Sequence, residues 1–383
     1  MPTPRILSIS MSPLVRDARV LRQLDVLGRS GHLTSVGYGP APDMVDEHVV
    51  VDDEQPSLPR SPRGVLGLAL RRYRAVELAA GGLRQARERL GSRRFDLVVA
   101  NDARALPLAH SVAEGAPVWA DMHEWAAAEF SHVMSWRLLV GPLMHDLCVR
   151  YLPHSAVTTT VCEPLAERYE QTYGVVCRVV RNAGPLRDLV PGPVSADRIR
   201  LVHSGAAIRG RNLEMIIRST LTVPHCTLDL YLVPAADGGR YLDELKQLAR
   251  GSDRIRFHDP VAPDALPHTL NAYDVGVFSM PPININAEFA LPNKFFDFVQ
   301  ARLAQVVGPS PEMARLVNQT GMGVVAADFS EAAFTEALRT LDAQSVRAGK
   351  EAAHQHARTF SDATDRAVME SIVDSLLTAR DRR

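Results

Sequence analysis

The chain has 383 residues, of which 46% are hydrophobic and 23% charged, with a formal net charge of -1. That length allows two or three domains whose cores need no disulfide or metal staple. The near-neutral balance excludes a generally cationic nucleic-acid binder, and the apolar content excludes a mainly disordered chain.

Cys148, Cys162, Cys177 and Cys226 show no CxxC or CxxH spacing, so neither a disulfide framework nor a metal site is expected. No apolar run of about 18 residues and no signal-peptide pattern is visible, so the expected location is the cytoplasm.

In chain order, Arg5–Ser10 reads as a first strand and Val15–Gly31 as a helix, with Val20, Leu21, Leu24 and Leu27 on one face. Leu33–Gly37, Phe95–Ala100, Ala116–Ala120, Ala156–Val161 and Cys177–Arg181 read as further strands, and Pro164–Tyr173 as a helix. Such βαβ punctuation implies a parallel sheet. Leu186–Asp197 is rich in Pro, Gly and Asp and reads as a linker. A second βα series follows, with strands at Ile199–His203, Leu228–Val233, Ile255–His258, Val275–Ser279, Gln305–Gly308 and Gly323–Ala326. The expected architecture is α/β: two Rossmann-like doubly wound parallel-sheet domains facing a cleft, with C-terminal helices. Expected bounds are 1–185, a hinge at 186–198, 199–360, and a final helix at 361–383 packing back on the first domain. Ligands of such sheets bind beyond the carboxyl ends of the strands.

Arg60–Arg94 holds ten arginines against Glu77 and Glu88, a net charge of +8. Leu66, Leu70 and Tyr73 are spaced for one helix face. The segment fits a basic amphipathic surface for anionic lipid or a lipid-phosphate substrate, at the inner face of a membrane. It equally fits a solvated helix packed by its apolar stripe.

Three stretches carry candidate chemistry. In Asn286–Gly308 a loop ends at Pro292, a favoured first helical residue, and the helix carries Lys294 and Asp297 near its start. Helix-start N–H groups and Lys294 suit an anion, and Asp297, three residues on, suits the vicinal hydroxyls of a ribose. Diphosphate and ribose together are what a nucleotide sugar presents. The same residues also fit an acid stabilising its own helix beside a solvated lysine. In Val202–Glu214 a strand ends at Gly205, and the following loop holds Arg209 and Arg211. Their forks suit phosphate oxygens, or they are solvated turn residues. No GxxxxGK[ST] or GxGxxG pattern is present. In Ala120–Trp125, Asp121, His123 and Glu124 stand at a strand's carboxyl end. His123 suits a sugar hydroxyl, with Asp121 or Glu124 orienting it or moving a proton; a structural histidine is the alternative.

In order along the chain, these residues resemble GT-B glycosyltransferases of the family-4 type, the retaining "glycosyl transferases group 1". The resemblance rests on Asp17–Arg22 with Gly31-His32, Phe95–Asp102, Asp121–Glu124, Val180–Ala183, His203–Glu214 and Leu291–Asp297. It implies a nucleotide-sugar donor, UDP- or GDP-linked, a metal-independent transfer with retention, and no separate cofactor. It implies donor-diphosphate contacts from Arg209, Arg211 and Lys294, a ribose contact from Asp297, and a base-binding loop at His258 and Val261. His123 would contact the transferred sugar. The family's E-x7-E motif has Asp297 as its second acid, but Phe289 occupies the first position. Glu288, Asn286 and Asn293 are therefore the expected donor-sugar contacts. The acceptor would be a glycan, a lipid-linked sugar or a small molecule, in envelope polysaccharide, glycolipid or metabolite glycosylation. A non-catalytic nucleotide-sugar-binding protein and a nucleotide-sugar 2-epimerase are the rival readings.

Overall fold

The structure is a computed structural model that describes residues 3–235 and 237–380. The chain forms two compact units. One runs up to Arg181 and includes the C-terminal segment from Asp365; the other is Asn182–Thr364.

The first unit is built on seven strands: β1 (Arg5–Pro13), β2 (His32–Tyr38), β3 (Glu47–Val51), β4 (Leu97–Asn101), β5 (Val118–Met122), β6 (Val157–Thr160) and β7 (Cys177–Val179). They pair in parallel in the order β3-β2-β1-β4-β5-β6-β7. Every residue of β4 and β5 is buried. This is why these strands read as continuous apolar runs, as parallel strands covered on both faces do. The first helix begins later than its apolar period suggests. A 3-10 turn occupies Leu14–Arg16, and Asp17 then caps the helix Ala18–Gly28, its carboxylate accepting from the Val20 N–H at 3.1 Å. The last helix is Asp362–Arg380. Its Met369, Ile372 and Val373 join the core formed by Ile6, Val20, Leu24 and Trp119.

The second unit holds β8 (Ile199–Ala207), β9 (Cys226–Pro234), β10 (Ile255–His258), β11 (Val275–Phe278), β12 (Ala304–Val307) and β13 (Gly323–Val325), again all parallel. The order β10-β9-β8-β11-β12-β13 repeats the arrangement of dinucleotide-binding sheets. Residues 180–198, between β7 and β8, carry no helix or strand.

One expectation from the sequence is overturned. Leu66, Leu70 and Tyr73 do not form a single helix face. The helix Pro62–Ala69 stops before Arg71, whose φ of 54° breaks it, and a separate short helix spans Tyr73–Val76. Gly64, Gly67, Leu68 and Val76 are buried there, while Leu66 and Leu70 are 59% and 55% exposed. No helix among the described residues is long and apolar enough to cross a membrane.

Candidate functional site

Each unit carries one polar cluster at the carboxyl ends of its strands. In the second unit the cluster is cationic. Lys294 sits in the first turn of the helix Asn293–Gln300, whose N-cap, Pro292, offers no side-chain hydrogen bond to the helix start. The Lys294 side chain is turned inward: the residue is 7% exposed. Its ammonium lies 3.3 Å from His203 Nε2 and 4.6 Å from the Phe278 ring centre. His203, in β8, is fully buried, and its Nδ1–H donates to the Val277 carbonyl at 2.8 Å. That bond leaves Nε2 as an acceptor for the ammonium. Burial and then the Lys294 charge hold the imidazole well below its usual pKa, so it stays neutral.

Burial, reinforced by the neighbouring Arg211 charge and opposed by Asp297, pushes Lys294 down to about 7. Arg211 is half-buried, and burial alone lowers it. Both cations lie over Gly205, whose φ is +131°. A Cβ at that position would stand 2.9 Å from Lys294 Nζ and 3.7 Å from Arg211 Nη1. Two adjacent desolvated cations, a bare glycine and an uncapped helix start form a cradle for a doubly charged anion.

Arg209 is not brought into this cluster. Its guanidinium pairs with Glu244 at 2.5 Å and lies 4.8 Å from the Tyr241 ring centre. Asp297 stands one turn below Lys294 and is half-buried; Asn293 is exposed at the helix start. Asn286 and Glu288 lie on the short helix Ile285–Glu288, which Asn284 caps through the Ala287 N–H. Phe289, just beyond it, is half-buried. His258, at the end of β10, stacks on Tyr231 at 4.6 Å and is held at 2.5 Å by the buried carboxylate of Asp229. Val261 follows in the next loop, half-buried.

In the first unit the cluster is built on a buried ion pair. Arg19 Nε and Nη2 donate to Asp121 Oδ2 and Oδ1 at 2.9 and 2.6 Å. Gln23 and Thr159 also donate to this carboxylate, at 3.1 and 2.5 Å. Asp121 is 1% exposed, and four donors saturate it. Against the burial, Arg19 and then His123 drive its pKa well below the carboxylate range. His123 lies over it, with Nε2 3.3 Å from Asp121 Oδ2 and 3.2 Å from Asn101 Oδ1, and Nδ1 3.4 Å from Asp102 Oδ2. Burial disfavours the imidazolium, but Asp102 and Asp121 outweigh it and raise the pKa to about 9. His123 is therefore a fixed cation at neutral pH.

Asp102 is held in a conformation that few residues other than glycine adopt, φ 65° and ψ 165°. It is anchored by its N–H to the Asp121 carbonyl and by its Oδ1, which accepts the His123 N–H at 3.0 Å. A cavity of about 160 Å³ opens beside it, lined by Asp102, Arg104, His123, Glu124 and Glu129 among others. Glu124 has an edge open to solvent, yet crowding by protein atoms and then the Asp102 charge raise it to about 7. Glu129 pairs with Arg104 at 3.1 Å. The carboxylate, imidazole and guanidinium groups on its wall suit an edge that bears hydroxyls. Among the described residues no group of three or more His, Cys, Asp and Glu is placed to hold a metal ion.

The sequence reading did not single out Arg19, Asp102, His203 or Gly205 as working parts. All four lie inside the motifs that carried the resemblance, so position in those motifs was the available signal.

No protein-family model matches the chain, and no curated protein sequence does. Solved structures do. Sucrose-phosphate synthase from Thermosynechococcus elongatus is 13% identical at a TM-score of 0.69, over 98% of this chain and 100% of that one. The UDP-forming α,α-trehalose-phosphate synthase from Burkholderia vietnamiensis is 12% identical at a TM-score of 0.68, over 97% and 100%. Anabaena HepE, solved in complex with UDP-glucose, is 15% identical at a TM-score of 0.66, over 97% and 100%. At such identities the likeness establishes the fold: the two Rossmann-like parallel sheets are those of GT-B proteins.

Proposed function

We propose that the protein is a glycosyltransferase that moves a sugar from a nucleotide-diphosphate sugar to an acceptor hydroxyl, with retention at the anomeric carbon. The observation that carries this reading is the Lys294–Arg211 pair. Two cations held out of water with no carboxylate in ion-pair contact among the described residues call for an anionic ligand. Two of the similar folds name UDP or UDP-glucose, which supports a nucleotide sugar as that ligand.

In this reading the bond from anomeric carbon to phosphate oxygen breaks as the acceptor oxygen bonds to that carbon. The acceptor's proton ends on the departing diphosphate. Lys294, Arg211 and the helix start at Asn293 stabilise the charge that builds on the leaving group. Asp297 holds the ribose hydroxyls, and His258 and Val261 hold the base. Glu288, Asn286 and Asn293 contact the donor sugar, in place of the acid that Phe289 displaces. Arg209 reaches the diphosphate only by leaving Glu244. His123, a fixed cation, contacts the transferred sugar through its exposed edge. Asp121 positions that ring from beneath, and Glu124, as a carboxylate, accepts from a second hydroxyl of the acceptor and so orients it. UDP- and GDP-linked donors are the expected substrates, and no bound metal takes part.

The test is nucleotide release from a panel of UDP-, GDP-, TDP- and ADP-sugars, with and without EDTA, followed by chromatography. One donor should be consumed in a metal-independent reaction, and Lys294→Ala and Arg211→Ala should each slow it by at least about 100-fold. Turnover of no donor, with tight binding of one, would favour a binding protein instead.

A further inference from the structure

Asn101 is the last residue of β4 and Asp102 the next, yet both side chains reach one imidazole. Asn101 Oδ1 lies 3.2 Å from His123 Nε2, and Asp102 Oδ2 lies 3.4 Å from His123 Nδ1. Consecutive side chains of an extended strand point to opposite faces, so a strand continued without distortion would not bring both to the same ring. The φ of 65° at Asp102 takes its side chain out of that alternation.

That conformation persists only where the surroundings enforce it. Two bonds do so: the Asp102 N–H donates to the Asp121 carbonyl at 2.9 Å, and Asp102 Oδ1 accepts the His123 N–H at 3.0 Å. The carboxylate forgoes its ordinary local use. Asp102 is the N-cap of the 3-10 turn Ala103–Ala105, a place where aspartate commonly accepts from the turn's own N–H groups, but its side chain makes no such bond. Its charge is also placed against folding. Glu124 and Glu129 line the same cavity, and burial first, with the Asp102 charge in addition, raises the pKa of both.

What the carboxylate contributes is seen at His123. A neutral imidazole has one N–H and an imidazolium two. Nε2 faces oxygens of Asn101 and Asp121, and Nδ1 faces one of Asp102. Only the doubly protonated ring satisfies both sides.

We propose that Asp102 is a positioning residue: it ties down the loop at His123 through the peptide N–H and holds the ring doubly protonated, with one edge left for the transferred sugar. The sugar rests on the glycosyl-transfer reading, but the hold of Asp102 on His123 is measurable without any donor. The charged groups facing His123 are Asp102 after β4, Asp121 from β5, Arg19 from the first helix, and Glu124 and Glu129 from the segment that follows the ring. Without Asp102, the Asp121 carboxylate is opposed by Arg19 and by burial, so the ring should release its proton nearer neutrality.

The experiment is a pH titration of the full chain by histidine-ring NMR, with the His123 signal assigned by its loss in His123→Gln. Asp102→Asn keeps the shape and an acceptor for the His123 N–H, but turns an amide N–H toward Nδ1, which favours the neutral ring. Asp102→Gly removes the side chain at a φ that glycine adopts freely, and so secures a folded variant. His123 should titrate at about 9 in the wild-type protein and at least about one pH unit lower in both variants. With a consumed donor, both variants should lower kcat at least about tenfold. KM for that donor should change by less than about threefold, because Lys294 and Arg211 hold it. An unmoved His123 titration in either variant would overturn the proposal, even with a lower Tm, by making Asp102 a strut of the fold alone. Wild-type kcat in either variant would overturn it too. If no donor is consumed, the glycosyl-transfer reading fails and the titration alone decides the role of Asp102. If a donor is consumed and the titration does not move, only that role fails.

Discussion

The Lys294 ammonium lies 3.3 Å from Nε2 of His203, an imidazole whose other nitrogen already donates to the Val277 carbonyl. A neutral acceptor thus holds a buried cation whose nearest carboxylate influence, from Asp297, does not offset the burial and the Arg211 charge. The arrangement explains why Lys294 is pushed down to about 7, and it makes ligand binding and proton binding one event.

A diphosphate at this position restores the charge on Lys294. Free protein at pH 8 holds Lys294 largely neutral, so binding of a nucleotide sugar should take up close to one proton; at pH 6 the uptake should be close to none. Calorimetry in buffers of different ionisation enthalpy reads this directly. Lys294→Met should abolish the uptake. The sign for stability follows from the same shift. Between about 7 and the unfolded value of 10.5, the unfolded chain holds the proton that the folded chain lacks, so this lysine's contribution grows more favourable as pH rises.

Gly205 is required by both its backbone and its surroundings. Gly205→Ala places a methyl 2.9 Å from Lys294 Nζ at a φ of +131°. Donor affinity should fall at least tenfold, with a stability cost of about 1–3 kcal/mol. A titration of the variant with nucleoside diphosphates, beside its thermal unfolding, separates the two effects.

Arg209 and Arg211 should differ. Arg209 is occupied by Glu244, whereas Arg211 lies over Gly205 beside Lys294. Arg209→Ala should change donor affinity by no more than about threefold, while Arg211→Ala should change it by more than tenfold, or about 1.4 kcal/mol. Side-by-side titrations decide between them.

In the first unit, Asp121→Asn leaves the buried Arg19 guanidinium without its counter-charge. Loss of one partner of such a pair costs about 3–5 kcal/mol, so this variant should be measurably less stable in chemical denaturation. His123 follows a different pH course. Its pKa rises from 6.5 to about 9 on folding, so its stabilisation is fully present below about 6.5 and disappears as pH passes through 9. The stability gap between the wild-type protein and His123→Gln should close over that window. Glu124, raised to about 7, should give the rate profile a limb that falls as pH drops below 7. Glu124→Gln should remove that limb and lower the rate.

The sheets were legible because buried parallel strands are nearly unbroken apolar runs, as Leu97–Asn101 and Val118–Met122 show. Gly and Pro marked the turns between them. His123 and Lys294 were legible as candidates because one ends a strand and the other opens a helix. What the sequence withheld is what long-range packing decides. Two arginines two residues apart look alike in a loop, yet only Arg211 reaches Lys294. The strain at Asp102 depends on its bonds to Asp121 and His123, which come from a neighbouring strand and the loop after it. The helical period of Leu66, Leu70 and Tyr73 gave no hint of the break at Arg71, and so none of the exposed apolar surface it leaves.

The central claim is that Lys294 and Arg211 receive the diphosphate of a nucleotide sugar. The most direct measurement is a thermal-shift series with UDP, GDP, TDP, ADP and NAD, with and without EDTA, on the wild-type protein and on Lys294→Ala and Arg211→Ala. Ligand at ~100 times its dissociation constant stabilises by about 2.7 kcal/mol. The account predicts a clear rise in Tm with one nucleoside diphosphate, independent of EDTA and lost in both variants. A shift with NAD alone, or a nucleoside-diphosphate shift that survives both substitutions, would contradict it.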